Sequence, residues 1–153
     1  IEKAISIARI KAQEALSSGK AASIFGEMIS ALGGPIGLLE TPNKYLTPMP
    51  IIKPILATNS GFVSEMDVRA IGLSMIHLKA GRTKSNDLID HGVGLNSIVE
   101  VGHWLNKGDP IAIAHTRDNN QLDYLRSSIP TMISLSDEKT EQPTLIHEIL
   151  GSS

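Results

Sequence analysis

No cysteine occurs among the 153 residues, which excludes a disulfide framework and thiolate metal ligation and fits a reducing compartment. The expected location is the cytoplasm. No run of Lys or Arg covers a face, and 14 basic against 16 acidic residues leave a formal net charge of -2. No nucleic-acid partner is expected, since such a partner demands a dense cationic footprint. No apolar run approaches the ~20 residues needed to cross a bilayer, and the N-terminus lacks the basic, apolar and small-residue regions of a secretory signal. A membrane partner is not expected either. What the chain does contain is 41% apolar and 20% charged residues, the balance of a folded body that buries roughly two thirds of its unfolded surface.

Ile1, Ala4, Ile5, Ala8, Ala12, Ala15 and Leu16 recur at the three-and-four spacing of one helical face. The pattern is already running at Ile1 with no cap before it, so the chain is expected to begin inside a longer polypeptide. Ser17, Ser18 and Gly19 end this helix. Ala21, Ile24, Phe25, Met28 and Leu32 predict a second one, stopped by Gly33, Gly34 and Pro35. Residues 1–40 therefore read as a helical hairpin. Pro42, Pro48, Pro50 and Pro54 predict an extended linker over residues 41–54.

Residues 55–153 read as a second domain. Ile55 to Thr58 and Phe62 to Met66, around Asn59-Ser60-Gly61, predict a β-hairpin. Asp67 is placed to cap a helix carrying Ile71, Met75 and Leu78, flanked by Val68 and Ile76, and Gly81 suits its left-handed end. Arg82 to His91 has neither period and predicts a surface loop. Val99 and Val101, then Ile111 and Ile113, alternate as short strands around the turn Asn106-Lys107-Gly108-Asp109. Asp118 is placed to cap a last helix bearing Leu122, Leu125 and Ile129, which Pro130 must end. Thr131 to Leu135 and Thr144 to Leu150 predict further strands.

The chemistry-bearing residues form no familiar constellation. His77, His91, His103, His115 and His147 include no pair at the spacing of a zinc helix, so no metal site is expected. His147-Glu148 opens a metalloprotease pattern that has no second histidine. His77 falls near a buried stripe and reads as a half-buried structural histidine. Gly19-Lys20 fails as a phosphate loop, because Glu14 stands where the first glycine belongs and Ala21 replaces the hydroxyl. No serine occupies a nucleophile elbow. Glu65 and Asp67 are close enough in sequence for an acid and base, but a strand position and a helix cap explain them more simply. The loop from Gly81 to Asp87, with Arg82 and Lys84 among hydroxyl and amide groups, has the composition to meet a phosphate or an acidic surface, and equally that of a solvated loop.

The run Ser60-Gly61-Phe62-Val63-Ser64-Glu65-Met66-Asp67-Val68-Arg69-Ala70-Ile71-Gly72 resembles the opening of the C-terminal domain of pyrimidine nucleoside phosphorylases. Gly81-Arg82 and Asp87-Leu88-Ile89-Asp90-His91-Gly92-Val93-Gly94-Leu95 follow in register. Ahead of them, Phe25-Gly26-Glu27-Met28 and Ala31-Leu32-Gly33-Gly34-Pro35 are similar to the helix that closes the preceding domain. The resemblance thus covers nearly the whole chain and is nearest to the bacterial branch that cleaves thymidine, although uridine- and nucleotide-accepting branches share much of this domain. It implies reversible phosphorolysis of thymidine to thymine and 2-deoxyribose 1-phosphate by a homodimeric parent, with phosphate as co-substrate and no cofactor.

The same resemblance implies that base and phosphate are bound by parts of the parent that precede this chain. The family's Lys-x-Ser-x-Gly-Gly signature is missing, and the nearest string, Arg82-Thr83-Lys84-Ser85-Asn86, lacks the glycines. No catalytic or substrate-binding residue carries over, so this chain alone is expected to be inactive. Gly81, Arg82, Lys84, Asp87, Asp90 and His91 are expected to form a cleft-closure loop bounded by Gly92 and Gly94. The segments Val99-Glu100-Val101-Gly102 and Asn106 to Ile113 also resemble half of a biotinyl or lipoyl domain. That likeness offers the rival reading of a carrier or interaction domain, with Lys107 beside the turn, and suggests a shared architecture. The expected fold is α+β: a helical hairpin, then a small mixed domain with a barrel-sandwich-like (α/β-hammerhead) core.

Overall fold

The helical spacing of the first residues is realised as α1 (Glu2–Ser17) and α2 (Lys20–Ala31), seen in a computed structural model that describes residues 2–46 and 48–144. The described chain is mixed α+β and divides into two units after Pro48. In the first unit Gly19 makes the turn between the helices at φ 76°, a left-handed backbone that suits glycine. At the far end of α2, Gly33 N–H donates to Ser30 O at 3.0 Å and Gly34 N–H to Ile29 O at 2.8 Å. These are the paired bonds of a Schellman stop, with Gly33 as its left-handed residue at φ 83°. Glycine is needed next door as well, because a Cβ on Gly34 would lie 2.5 Å from Ile29 Cγ2. A one-turn helix, α3 (Pro42–Tyr45), interrupts the stretch expected to be extended; proline is at home in a first helical turn, where its missing N–H costs nothing.

The second unit contains two three-stranded antiparallel sheets. One has the order β1–β5–β3, from β1 (Ile51–Leu56), β5 (Pro110–Thr116) and β3 (Gly94–Asn96). The other has the order β4–β2–β6, from β4 (Trp104–Leu105), β2 (Gly61–Met66) and β6 (Ile133–Ser136). Helices α4 (Val68–His77) and α5 (Asn119–Ser128) complete the unit, and a 3-10 turn, Ile129–Met132, leads from α5 into β6. Ile55, Val63, Ala112, Ala114, Leu125 and Ile129 are wholly shielded from water at its centre. Each large aliphatic side chain buried this way contributes about 1.5–3 kcal/mol. Among the described residues, no helix is long and apolar enough to cross a membrane.

Several local expectations need correction. β1 and β2 do not form a hairpin: β1 pairs with β5 (Ile55 opposite Ala112), whereas β2 pairs with β4 and β6 (Phe62 opposite Trp104 and Ser136). The connection between them is bonded elsewhere, through Ala57 N–H to Asp109 O, Gly108 N–H to Ala57 O and Lys107 N–H to Ser60 Oγ. Gly61 serves close approach to β6, since a Cβ there would sit 3.1 Å from both Leu135 Cβ and Ser136 O. Pro54 lies within β1. Val99 and Val101 lie outside the strands, on a stretch whose Val99 and Gly102 amides bond Ile111 O and Val63 O. In β5 Ile111 is buried together with Ala112, Ala114 and Thr116, while Ile113 is half-buried. The strand expected from Thr131 begins at Ile133, after the 3-10 turn. The strand expected beyond Thr144 falls outside the described residues.

Candidate functional site

The loop after α4 is positioned by how that helix ends. Asp67 accepts a hydrogen bond from Ala70 N–H at 2.8 Å and caps the start, as its position predicts. At the other end Lys79 N–H donates to Ile76 O at 2.9 Å and Ala80 N–H to Met75 O at 3.0 Å. The left-handed residue of this second Schellman stop is Lys79, at φ 68°. Gly81 does not fill that role; its lack of a side chain lets the backbone pass Ile76, whose Cγ1 lies 3.0 Å from where a Cβ would stand.

From there the loop is internally bonded. The Asp87 carboxylate Oδ2 accepts from Thr83 N–H at 3.0 Å, Thr83 Oγ1 at 2.6 Å and Lys84 N–H at 2.9 Å. Arg82 Nε donates to the Asp87 carbonyl at 3.2 Å. The Thr83 hydroxyl, followed by the backbone donors of Lys84 and Thr83, holds the Asp87 carboxyl below its ordinary pKa of 3.8. Three residues on, Asp90 forms a two-pronged pair with Arg117, whose Nε meets Oδ2 while Nη2 donates to Oδ1 at 2.9 Å. Asp90 also accepts from Gly92 N–H at 3.1 Å, and its own N–H donates to Lys79 O at 2.8 Å. The Arg117 hydrogen bond is the main cause that lowers the Asp90 pKa, and Asp90 raises that of Arg117.

Of the six loop residues singled out in the sequence, the fold gathers Arg82, Lys84 and Asp87 into one turn, with Arg82 and Lys84 exposed. Asp90 faces Arg117, His91 is exposed beside it, and Gly81 supports the start. Thr83 lay within the stretch singled out but was given no role of its own, and Arg117 was not legible as a member. The spacing of Thr83 and Asp87 was a usable signal for a local turn, whereas nothing in the sequence joins Asp90 to a residue 27 positions away.

The other sequence candidates remain scattered. Glu65 is exposed on β2 and the Asp67 carboxylate is engaged in capping α4, while both residues line one open cavity with Thr131 and Ser134. His77 is exposed, not half-buried, and its ring lies 4.4 Å from that of Tyr124. His115 Nε2 and Thr116 Oγ1 are buried without a hydrogen-bond partner among the described residues. No cluster of three metal-ligating side chains occurs among the described residues; His147 and Glu148 lie outside them. The first unit has a cleft of about 580 Å³ lined by the apolar side chains of Ile29, Ile36 and Leu39 together with Ser23, Glu27 and Glu40.

Residues 62–136 match the family described as the pyrimidine nucleoside phosphorylase C-terminal domain. The chain is also similar to proteins named thymidine phosphorylase. Those of Burkholderia orbicola (strain MC0-3) and Burkholderia cenocepacia (strain J2315) are each 39% identical to it over 142 residues. That of Burkholderia cenocepacia (strain HI2424) is 38% identical over the same length. Each alignment covers 93% of this chain but 32% of the relative, so the chain spans about a third of the length of the relatives it matches.

Proposed function

We propose that the chain is the C-terminal part of a thymidine phosphorylase, a reading supported by the match of residues 62–136 to the pyrimidine nucleoside phosphorylase C-terminal domain family. The parent enzyme carries out reversible phosphorolysis of thymidine, giving thymine and 2-deoxyribose 1-phosphate. It is a cytoplasmic homodimer that uses phosphate as co-substrate and no cofactor. The observation that carries this reading is similarity across 93% of the chain, at 39% identity, to relatives about three times as long. Phosphorolysis needs a phosphate cradle, donors for the base and charge stabilisation at the breaking glycosidic bond. In this reading other parts of the parent supply that group, and the role of this part is structural and in cleft closure.

In this reading residues 1–40 are the tail of the central domain, 41–54 the linker and 55–153 the C-terminal domain, its two sheets the halves of a barrel-sandwich-like (α/β-hammerhead) core. The turn around Asp87 supports a role in cleft closure, because it presents Arg82 and Lys84 outward on a bonded frame. Arg82 then meets a carboxylate across the cleft in the closed enzyme. Such an exposed pair is worth about 1 kcal/mol or less, a several-fold effect on turnover and Michaelis constant.

Two assays test the proposal. The isolated chain should release no thymine from thymidine and phosphate while the full-length enzyme does; release by the isolated chain would overturn the assignment. In the full-length enzyme at low salt, Arg82→Ala should change steady-state kinetics several-fold. Unchanged kinetics would return the loop to plain solvated surface, and complete loss would place Arg82 in the catalytic centre.

A further inference from the structure

The division between the two units falls between Pro48 and Met49, and Met49, the first residue past it, is buried. Its side chain ends against Gly92: a Cβ added there would overlap the Met49 Cε methyl and come within 2.9 Å of its Sδ. Glycine at position 92 is therefore what makes room for the methionine. The backbone around Gly92 is held from two sides. Asp90, two residues earlier, binds Gly92 N–H through Oδ1, is tied to the end of α4 through Lys79 O, and is clamped by Arg117. Arg117 in turn stands where β5 passes into α5, with its N–H donating to Gln121 Oε1 at 2.9 Å and Asp118 capping the helix.

We propose that Gly92, fixed by the Asp90–Arg117 pair, is a socket that anchors Met49 and so pins the first residues of the second unit to its core. Met49 stands between Pro48 and Pro50. The prolines fix their own φ angles, and Pro50 restricts Met49 to extended backbone. With the side chain seated and the backbone beside it restricted, the first residues of the second unit are held in place, and the loop of residues 79–92 acts as their mount. Methionine suits this role, since an unbranched thioether fills an irregular slot that a β-branched side chain would not enter. The inference uses only contacts within the second unit and does not depend on the phosphorylase reading.

Peroxide footprinting of the whole chain, read by peptide mass spectrometry, tests it, because oxidation of methionine follows exposure. Met49 should oxidise several-fold more slowly than Met28, which is 48% exposed. Gly92→Ala and Arg117→Ala should each raise the Met49 rate several-fold and leave Met75 and Met132, packed against the core, at their parent rates. An unchanged Met49 rate in both variants overturns the socket. A parallel rise at Met75 and Met132 assigns the effect to general loosening and also overturns it. A measurement without substitution is the nuclear Overhauser contact between the Met49 methyl and the Gly92 α-protons, and its absence from the parent protein would be equally decisive.

Discussion

Single backbone angles decide more at the loop's edges than the loop's composition does. Lys79 holds φ 68°, a region that costs an L side chain roughly 1–2 kcal/mol. Lys79→Gly should therefore stabilise the second unit by about 0.5–1 kcal/mol, less than the full relief because glycine also frees the unfolded chain. A higher urea midpoint at unchanged slope is the expected readout. Gly102 presents the opposite case, at φ 86° with a would-be Cβ 2.7 Å from Thr140 O. Gly102→Ala should destabilise by more than about 1 kcal/mol, as a backbone oxygen cannot step aside the way a side-chain tip can. The two aspartates of the loop give a pH prediction. Their pKa values are lowered in the fold, so the stability they contribute is present above the unfolded carboxyl value. It is lost as pH falls through the lowered folded one. Stability should be flat above about pH 5 and decline below about pH 4, and Asp87→Asn should make that decline shallower.

Elements show where the sequence was readable and why it stopped being so. Caps are local: Asp67 reaches Ala70 N–H and Asp118 reaches Gln121 N–H at 2.9 Å, each three residues on. Both were legible, and replacement of either by alanine should cost about 1 kcal/mol in thermal or urea unfolding. The stripe of Leu122, Leu125 and Ile129 was legible for the same reason, because helical periodicity is written in neighbouring positions. Strand partnership is not written that way. Asn59-Ser60-Gly61 between two apolar runs satisfies the rule for a hairpin, yet Ile55 pairs with Ala112, and Phe62 with Trp104 and Ser136. Those partners lie tens of residues away and are selected by packing in the finished fold. The candidate loop divides in the same manner: its boundaries and the Thr83–Asp87 turn were local, whereas Arg117 reaches Asp90 only once β5 and α5 are in place.

At the scale of the whole molecule the two units differ in what their apolar residues accomplish. In the second unit the stripe of α5 enters a core, where Leu125 has no accessible surface. In the first, no residue of α2 is buried, and Ile24, Phe25, Met28 and Leu32 on its apolar stripe are 46% to 80% exposed. A helix pair with its apolar face open to water draws little stability from burial, and isolated helices of this length are marginal in water. The amides of α1 and α2 should accordingly exchange far faster than those of β5 in the isolated chain. The same substitutions should then carry different costs in different contexts. Leu125→Ala should cost about 2–5 kcal/mol in the isolated chain and in the full-length enzyme alike, because its neighbours are all present in both. Ile24→Ala should cost well under about 1 kcal/mol in the isolated chain, where the residue is already 55% exposed. On the proposed reading, in which the rest of the parent enzyme covers this face, the cost should rise to about 2 kcal/mol or more in the full-length protein. Urea unfolding of both variants in both contexts gives the four values. Equal costs for Ile24→Ala with and without the rest of the polypeptide would mean that the hairpin's apolar face is not a surface that the parent enzyme covers.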